Sequence, residues 1–194
     1  AWQRPSQAGG SHCVPPPFDS RRARLTGCSF EDGSFDGFAL TDVDFEFAIL
    51  SRASMQAVHA SRSNFRNTVL EFANFKDAMM QATDLSNAKL TGATLDGAYF
   101  TKAALTAARA AESSFKSAVF YEAQLDAVDL SLSDGENADF TKASLQNADF
   151  TGASGHVPVT SRSRPGHVPV TQASLQNADF TGASGHVPVT SRSR

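Results

Sequence analysis

The sequence predicts an all-β fold of the solenoid type, and three observations carry that expectation. From Leu25 to Phe150 nearly every fifth residue is Leu, Phe or Met, with Ala60, Ala110 and Gly135 the departures among 26 such positions. Two residues before each position stands Ala, Ser, Thr, Gly, Cys or Val, with Phe38 the exception. The beat of five also excludes the regular alternatives. Successive beats step round an α-helix by roughly 140° and leave no continuous apolar stripe. On a flat strand, side chains five apart point to opposite faces. A chain that turns a corner once per five residues instead keeps each fifth side chain, and the small one before it, inside a narrow tube. Its coils stack about 4.8 Å apart.

Taken in order, residues 1–22 contain Gly9, Gly10 and the run Pro15–Pro17, which predicts an irregular, extended N-terminal segment. Residues 23–152 hold the uninterrupted beat and form one β-helical domain. The three departures keep the register, so they are expected to be thinner places in the core column rather than domain breaks. Residues 153–194 form a tail in which Ala143–Arg164 recurs unchanged as Ala173–Arg194. Within it, residues 173–184 amount to two beats, centred on Leu175 and Phe180. So short a piece either resumes the rod after a looped insertion, docks elsewhere or is disordered, because solenoid repeats bury their faces only by stacking.

The units ANFKD, ATDLSNAKLTGATLDGAYF and NADFTKASLQNADFTG resemble those of pentapeptide-repeat proteins, whose pattern is A(D/N)LXX. The resemblance spans about two thirds of the chain. It implies a right-handed quadrilateral β-helix with four pentapeptides, hence twenty residues, per coil. On that reading the body makes about six to seven coils, a rod about 30 Å long at the strand spacing, with irregular N- and C-terminal extensions.

Charge is uneven along this chain. The body carries 18 acidic and 10 basic residues, whereas residues 1–22 contribute +2 and residues 153–194 contribute +3 to a total of −3. Within the body, residues 23–60 sum to −4, residues 61–120 to +2 and residues 121–152 to −6. No stretch approaches the roughly 18 apolar residues of a membrane span. The chain begins at Ala1, which suggests processing or trimming. Of its two cysteines, Cys28 falls at an inward small position and reads first as a small buried residue. The alternative is a disulfide with Cys13 that staples the leader across the open first coil and implies an oxidising compartment.

No HExxH, CxxC or glycine-rich phosphate loop occurs, and the five histidines are scattered. No catalytic residue, cofactor or metal site is expected. Asp84, Asp139 and Asp149 each precede a beat residue, where Asp and Asn side chains bond nearby backbone at corners, so turn chemistry accounts for them. Ten of the fifteen Phe lie on the inward beat, which leaves no aromatic platform for nucleic acid.

Function is therefore sought in outward columns of residues twenty apart. One column reads Ala39, His59, Met79, Tyr99, Val119, Asp139, with Tyr121 beside it. Met79, Tyr99, Val119 and Tyr121 form the leading candidate for a protein-binding strip, because stacked apolar side chains merge into one patch. The opposite column reads Ser29, Ile49, Val69, Lys89, Arg109; Ile49 and Val69, with Phe72 and Leu132 as outward neighbours, form a secondary strip. The expected function is a non-enzymatic structural or protein-interaction module, an accessory subunit of a larger assembly with a protein partner. Resemblance supplies a rival, since some pentapeptide-repeat proteins imitate duplex DNA and protect DNA gyrase. That demands a continuous acidic exterior, which the +2 middle section does not offer. Related repeats also occur in the thylakoid lumen, with which a processed, cysteine-bearing chain is consistent.

Overall fold

The computed structural model describes residues 21–154 and Thr181. Every β-bridge among them is parallel and joins a residue to the one twenty further along, from Arg24 with Asp44 to Asp134 with Ser154. A coil is thus twenty residues. The bridges fall in four columns per coil, through Asn64, Val69, Asn74 and Met79, so the tube has four flat sides.

Each side is one pentapeptide. The small residue points in, the next points out, the beat residue points in, and two residues turn the corner. Leu25, at the end of the rod, keeps 7% of its surface, whereas Phe30, Phe35, Leu40 and Phe45 keep none. Between coils the N–H of a beat residue donates to the carbonyl nineteen residues on, as from Leu25 to Asp44 at 2.7 Å. From Asp44 to Ser154 each outward residue donates back to the coil below, as from Asp44 to Ala23 at 2.9 Å. Backbone polar groups are thereby paired along the tube wall.

The corner closes through a bond from the N–H three residues after the beat to the beat carbonyl, as from Cys28 to Leu25 at 3.1 Å. Its third residue lies in the left-handed region at every corner from Arg22 to Gly152, with Gly at Gly27, Gly37, Gly92, Gly97 and Gly152 and non-glycine residues elsewhere. Even Phe47 (φ 59°) and Leu132 (φ 56°) adopt it. That conformation costs an L-residue roughly 1–2 kcal/mol, which the ladders on either side offset. At Asp84, Asp139 and Asp149 one carboxylate oxygen accepts the N–H two residues on, at 3.0, 2.8 and 2.8 Å, which is the turn chemistry expected of them.

Inside, aromatic rings stack at the coil spacing. Phe100, Phe120 and Phe140 form one pile with centroids 5.1 and 4.9 Å apart and planes within 6°. Phe45 and Phe65 stack at 4.9 Å. Phe38, the one large residue at a small position, is half-buried and packs edge-on against Phe35 at 5.8 Å. Gly135 is not a thin place. A Cβ built there would lie 2.1 Å from the Phe115 ring, so Phe115 fills the volume the missing side chain leaves. Expecting a gap at that beat overlooked a large neighbour in the coil below.

At the far end the Gly152 N–H donates to the Thr181 carbonyl at 2.9 Å. The step is 29 residues where the rod uses 19, so the Thr181 carbonyl takes the place that position 171 would hold, above Thr151, with ten extra residues in between. The rest of the duplicated segment, including Leu175 and Phe180, lies outside the described residues, as does most of the N-terminal segment.

Candidate functional site

The structure brings Met79, Tyr99 and Val119 together as consecutive bridge partners on one flat side. Met79 is 40% and Tyr99 46% exposed, and Val119 is half-buried between its neighbours. Tyr121 sits at the adjoining corner in a polar setting. Its hydroxyl accepts from Lys142 Nζ at 2.6 Å, and that ammonium lies 4.9 Å from the ring centroid. Glu122 receives Lys142 at 3.3 Å and Lys102 at 3.6 Å. Hydrogen bonding from Tyr121, then from Lys142, holds the Glu122 carboxyl below its usual range, although burial opposes it. Tyr121 therefore belongs to the polar rim of the strip rather than to its apolar centre.

That rim is a charge ladder. Stacked corner residues Arg22, Asp42, Arg62, Ala82, Lys102, Glu122 and Lys142 alternate in sign except at Ala82. Arg62 grips Asp42 through two nitrogens at 2.8 and 3.0 Å, and Arg52 grips Asp32 on another corner at 2.7 and 2.9 Å. These guanidinium bonds hold both carboxyls below their ordinary value. Sequence reading by net charge missed the ladder, because alternating signs cancel in a sum.

The secondary strip divides. Ile49 (37% exposed) and Val69 are bridge partners, and Phe72 (61%) stands at the corner three residues beyond Val69. Leu132 (64%) is on the same corner column but three coils higher, about 14 Å away at the strand spacing. It does not join them. Phe47, 58% exposed, stands at the opposite corner of the same side, in the same coil as Ile49, and it was not singled out from the sequence. Its signal was available, since Phe47 stands off the inward beat. Phe72 and Leu132 share a second feature: each leans over a glycine one coil up, with side-chain atoms 2.5 and 2.8 Å from where the Cβ of Gly92 and Gly152 would be.

Cys28 is 7% exposed and disulfide-bonded, which corrects its reading as a plain small buried residue. The proposed partner, Cys13, lies outside the described residues. Among the described residues no group of three or more His, Cys, Asp and Glu is placed to hold a metal ion, and no helix is long and apolar enough to cross a membrane.

Twenty-residue coils, four corners and an inward column of Leu and Phe define a right-handed quadrilateral β-helix. The family profile described as pentapeptide repeats (8 copies) matches in six overlapping stretches, from residues 21–56 to residues 118–154. The chain belongs to the pentapeptide-repeat family. Among solved structures it is similar to HetL, a pentapeptide repeat protein involved in heterocyst differentiation regulation in the cyanobacterium Nostoc sp. strain PCC 7120. Identity is 18%, over 85% of this chain and 88% of that one, with a TM-score of 0.50, a likeness of fold alone. A trypsin-treated form of QnrB1, a plasmid-mediated fluoroquinolone resistance protein, matches at 17% identity over 86% and 87% of the two chains with a TM-score of 0.41. A pentapeptide repeat protein of the Arabidopsis thaliana thylakoid lumen matches at 28% identity over 63% and 72% with a TM-score of 0.27. No curated protein matches the sequence.

Proposed function

We propose that this chain is a non-enzymatic protein-interaction module, an accessory subunit whose rod presents the Met79–Tyr99–Val119 side to a protein partner. The observation that carries this reading is the stacking of half-exposed Met79 and Tyr99 in one bridged column, bordered by a polar, ion-paired corner. An apolar centre with a charged rim is the anatomy of a protein interface. The tube supplies rigidity, so little order has to be gained on binding.

Imitation of duplex DNA is the weaker reading. Phosphate mimicry needs like charges in series, whereas the corner ladder alternates and pairs Asp42 and Glu122 with cations.

Charge placed at the strip tests the proposal. Tyr99→Asp combined with Val119→Asp is expected to abolish recovery of the native partner while the β-type circular dichroism stays. An unchanged set of bound proteins would overturn it.

A further inference from the structure

The side opposite the Tyr99 strip carries a pattern that is complementary to itself. Above Ile49 and Val69 its outward column continues through Lys89, Arg109, Asp129 and Asp149, two cations followed by two carboxylates, each bridged to the next. Lys89 and Arg109 are exposed and make no ion pair among the described residues. Most other cations of the rod, such as Arg52, Arg62 and Lys116, hold a carboxylate. Asp129 and Asp149 each spend one oxygen on their own corner, accepting the N–H of Ser131 at 3.0 Å and of Thr151 at 2.8 Å. The second oxygen of each has no hydrogen-bond partner among the described residues.

We infer that this side docks a second copy of the chain, with the two rods antiparallel. A two-fold axis across the side, midway between the Arg109 and Asp129 levels, sets Lys89 opposite Asp149 and Arg109 opposite Asp129, twice over. The same operation acts on the flanking corner. Phe72 leans up to the Gly92 level and Leu132 to the Gly152 level, and the axis exchanges those two levels. The ring of Phe72 on each copy therefore meets Leu132 of the other, which brings together two of the most exposed apolar side chains of the rod. At the other corner the exchanged residues at the centre are Ala107 and Ala127, small enough to let the sides close. One symmetric contact thus uses the unpaired charges and the stray apolar residues together, as an isologous interface requires. The contact spans four coils, about 14 Å between end residues at the strand spacing. It is smaller than a standard interface of about 800 Å² per partner, so the association is weak and salt-sensitive. Both Tyr99 strips stay on the outside.

Charge exchange tests the arrangement on the full chain by sedimentation velocity at about 0.01 M salt, where the screening length is about 30 Å. The wild type is expected to self-associate and to become monomeric at about 1 M salt, where that length is about 3 Å. Lys89→Glu with Arg109→Glu makes the column wholly acidic, and Asp129→Lys with Asp149→Lys makes it wholly basic. Each variant alone is expected to be monomeric, and an equimolar mixture to form the heterodimer. A wild type that stays monomeric at low salt, variants that still self-associate, or a mixture that does not pair would each overturn the inference. Circular dichroism of each variant confirms that the rod is intact.

Discussion

A single hydroxyl separates the inward positions that suit their residue from the one that does not. Thr68, Thr83 and Ser133 each donate to the beat carbonyl three residues back, at 2.6, 2.7 and 2.5 Å. Ser113 occupies the equivalent place after Ala110, is 2% exposed, and its hydroxyl has no hydrogen-bond partner among the described residues. An unsatisfied buried hydroxyl costs about 1–3 kcal/mol. Ser113→Ala, which restores the commonest residue of that column, is expected to raise stability by about 1 kcal/mol, whereas Thr83→Ala is expected to lower it by about as much. Thermal unfolding of the two variants decides, and a Ser113→Ala protein less stable than wild type would contradict the assignment. At this scale the sequence was partly legible. It marked Asp84, Asp139 and Asp149 as corner residues, and the hydrogen bonds agree. It did not show that Arg, Lys, Phe and Leu would take left-handed corner conformations, because propensity disfavours them there and the ladders override it.

Between coils, the element is the stacked column, and its fit depends on neighbours twenty residues apart. Gly135 and Phe115 form such a pair. Gly135→Ala is expected to cost about 1–3 kcal/mol by overpacking, because the Phe115 ring already occupies the space and is packed in turn against Phe120 and Phe140 at 6.0 and 5.9 Å. Phe115→Leu with Gly135→Ala is expected to cost less than the sum of the two single changes, and strict additivity would contradict the coupling. Charge ladders obey the same spacing. Asp32 and Asp42 titrate below their unfolded value because Arg52 and Arg62 hydrogen-bond the charged form. Their contribution is complete above about pH 4, the ordinary Asp value, and is lost as pH falls through the depressed folded values. Acid titration of the unfolding midpoint is expected to show that loss shrink in Arg52→Gln with Arg62→Gln. The inward column could be read directly because burial repeats every five residues. Corner columns repeat every twenty with changing sign, so neither the ladder nor the place of Phe47 on the same side as Ile49, Val69 and Phe72 emerges until coils are stacked.

Across the whole molecule, one rod presents two opposed sides with different chemistry. The Tyr99 side is apolar with a paired rim, and the Lys89 side is ordered apolar, basic, acidic from bottom to top. The fold was the most legible level, since a five-residue beat with a small residue two places earlier admits little but a tube. Leu132 shows where that legibility ended. Reading columns without their height joined it to a patch about 14 Å below, whereas the three-dimensional arrangement sets it near Gly152. The central claim, that this rod works through its Tyr99 side, is tested most directly by site-specific photocrosslinking in the native source. A photoreactive residue placed at Tyr99 is expected to give a discrete covalent adduct with a partner protein, and one placed at Thr94, on the neighbouring polar side, is expected to give none. Adducts of equal yield at both positions, or none at Tyr99, would contradict the account.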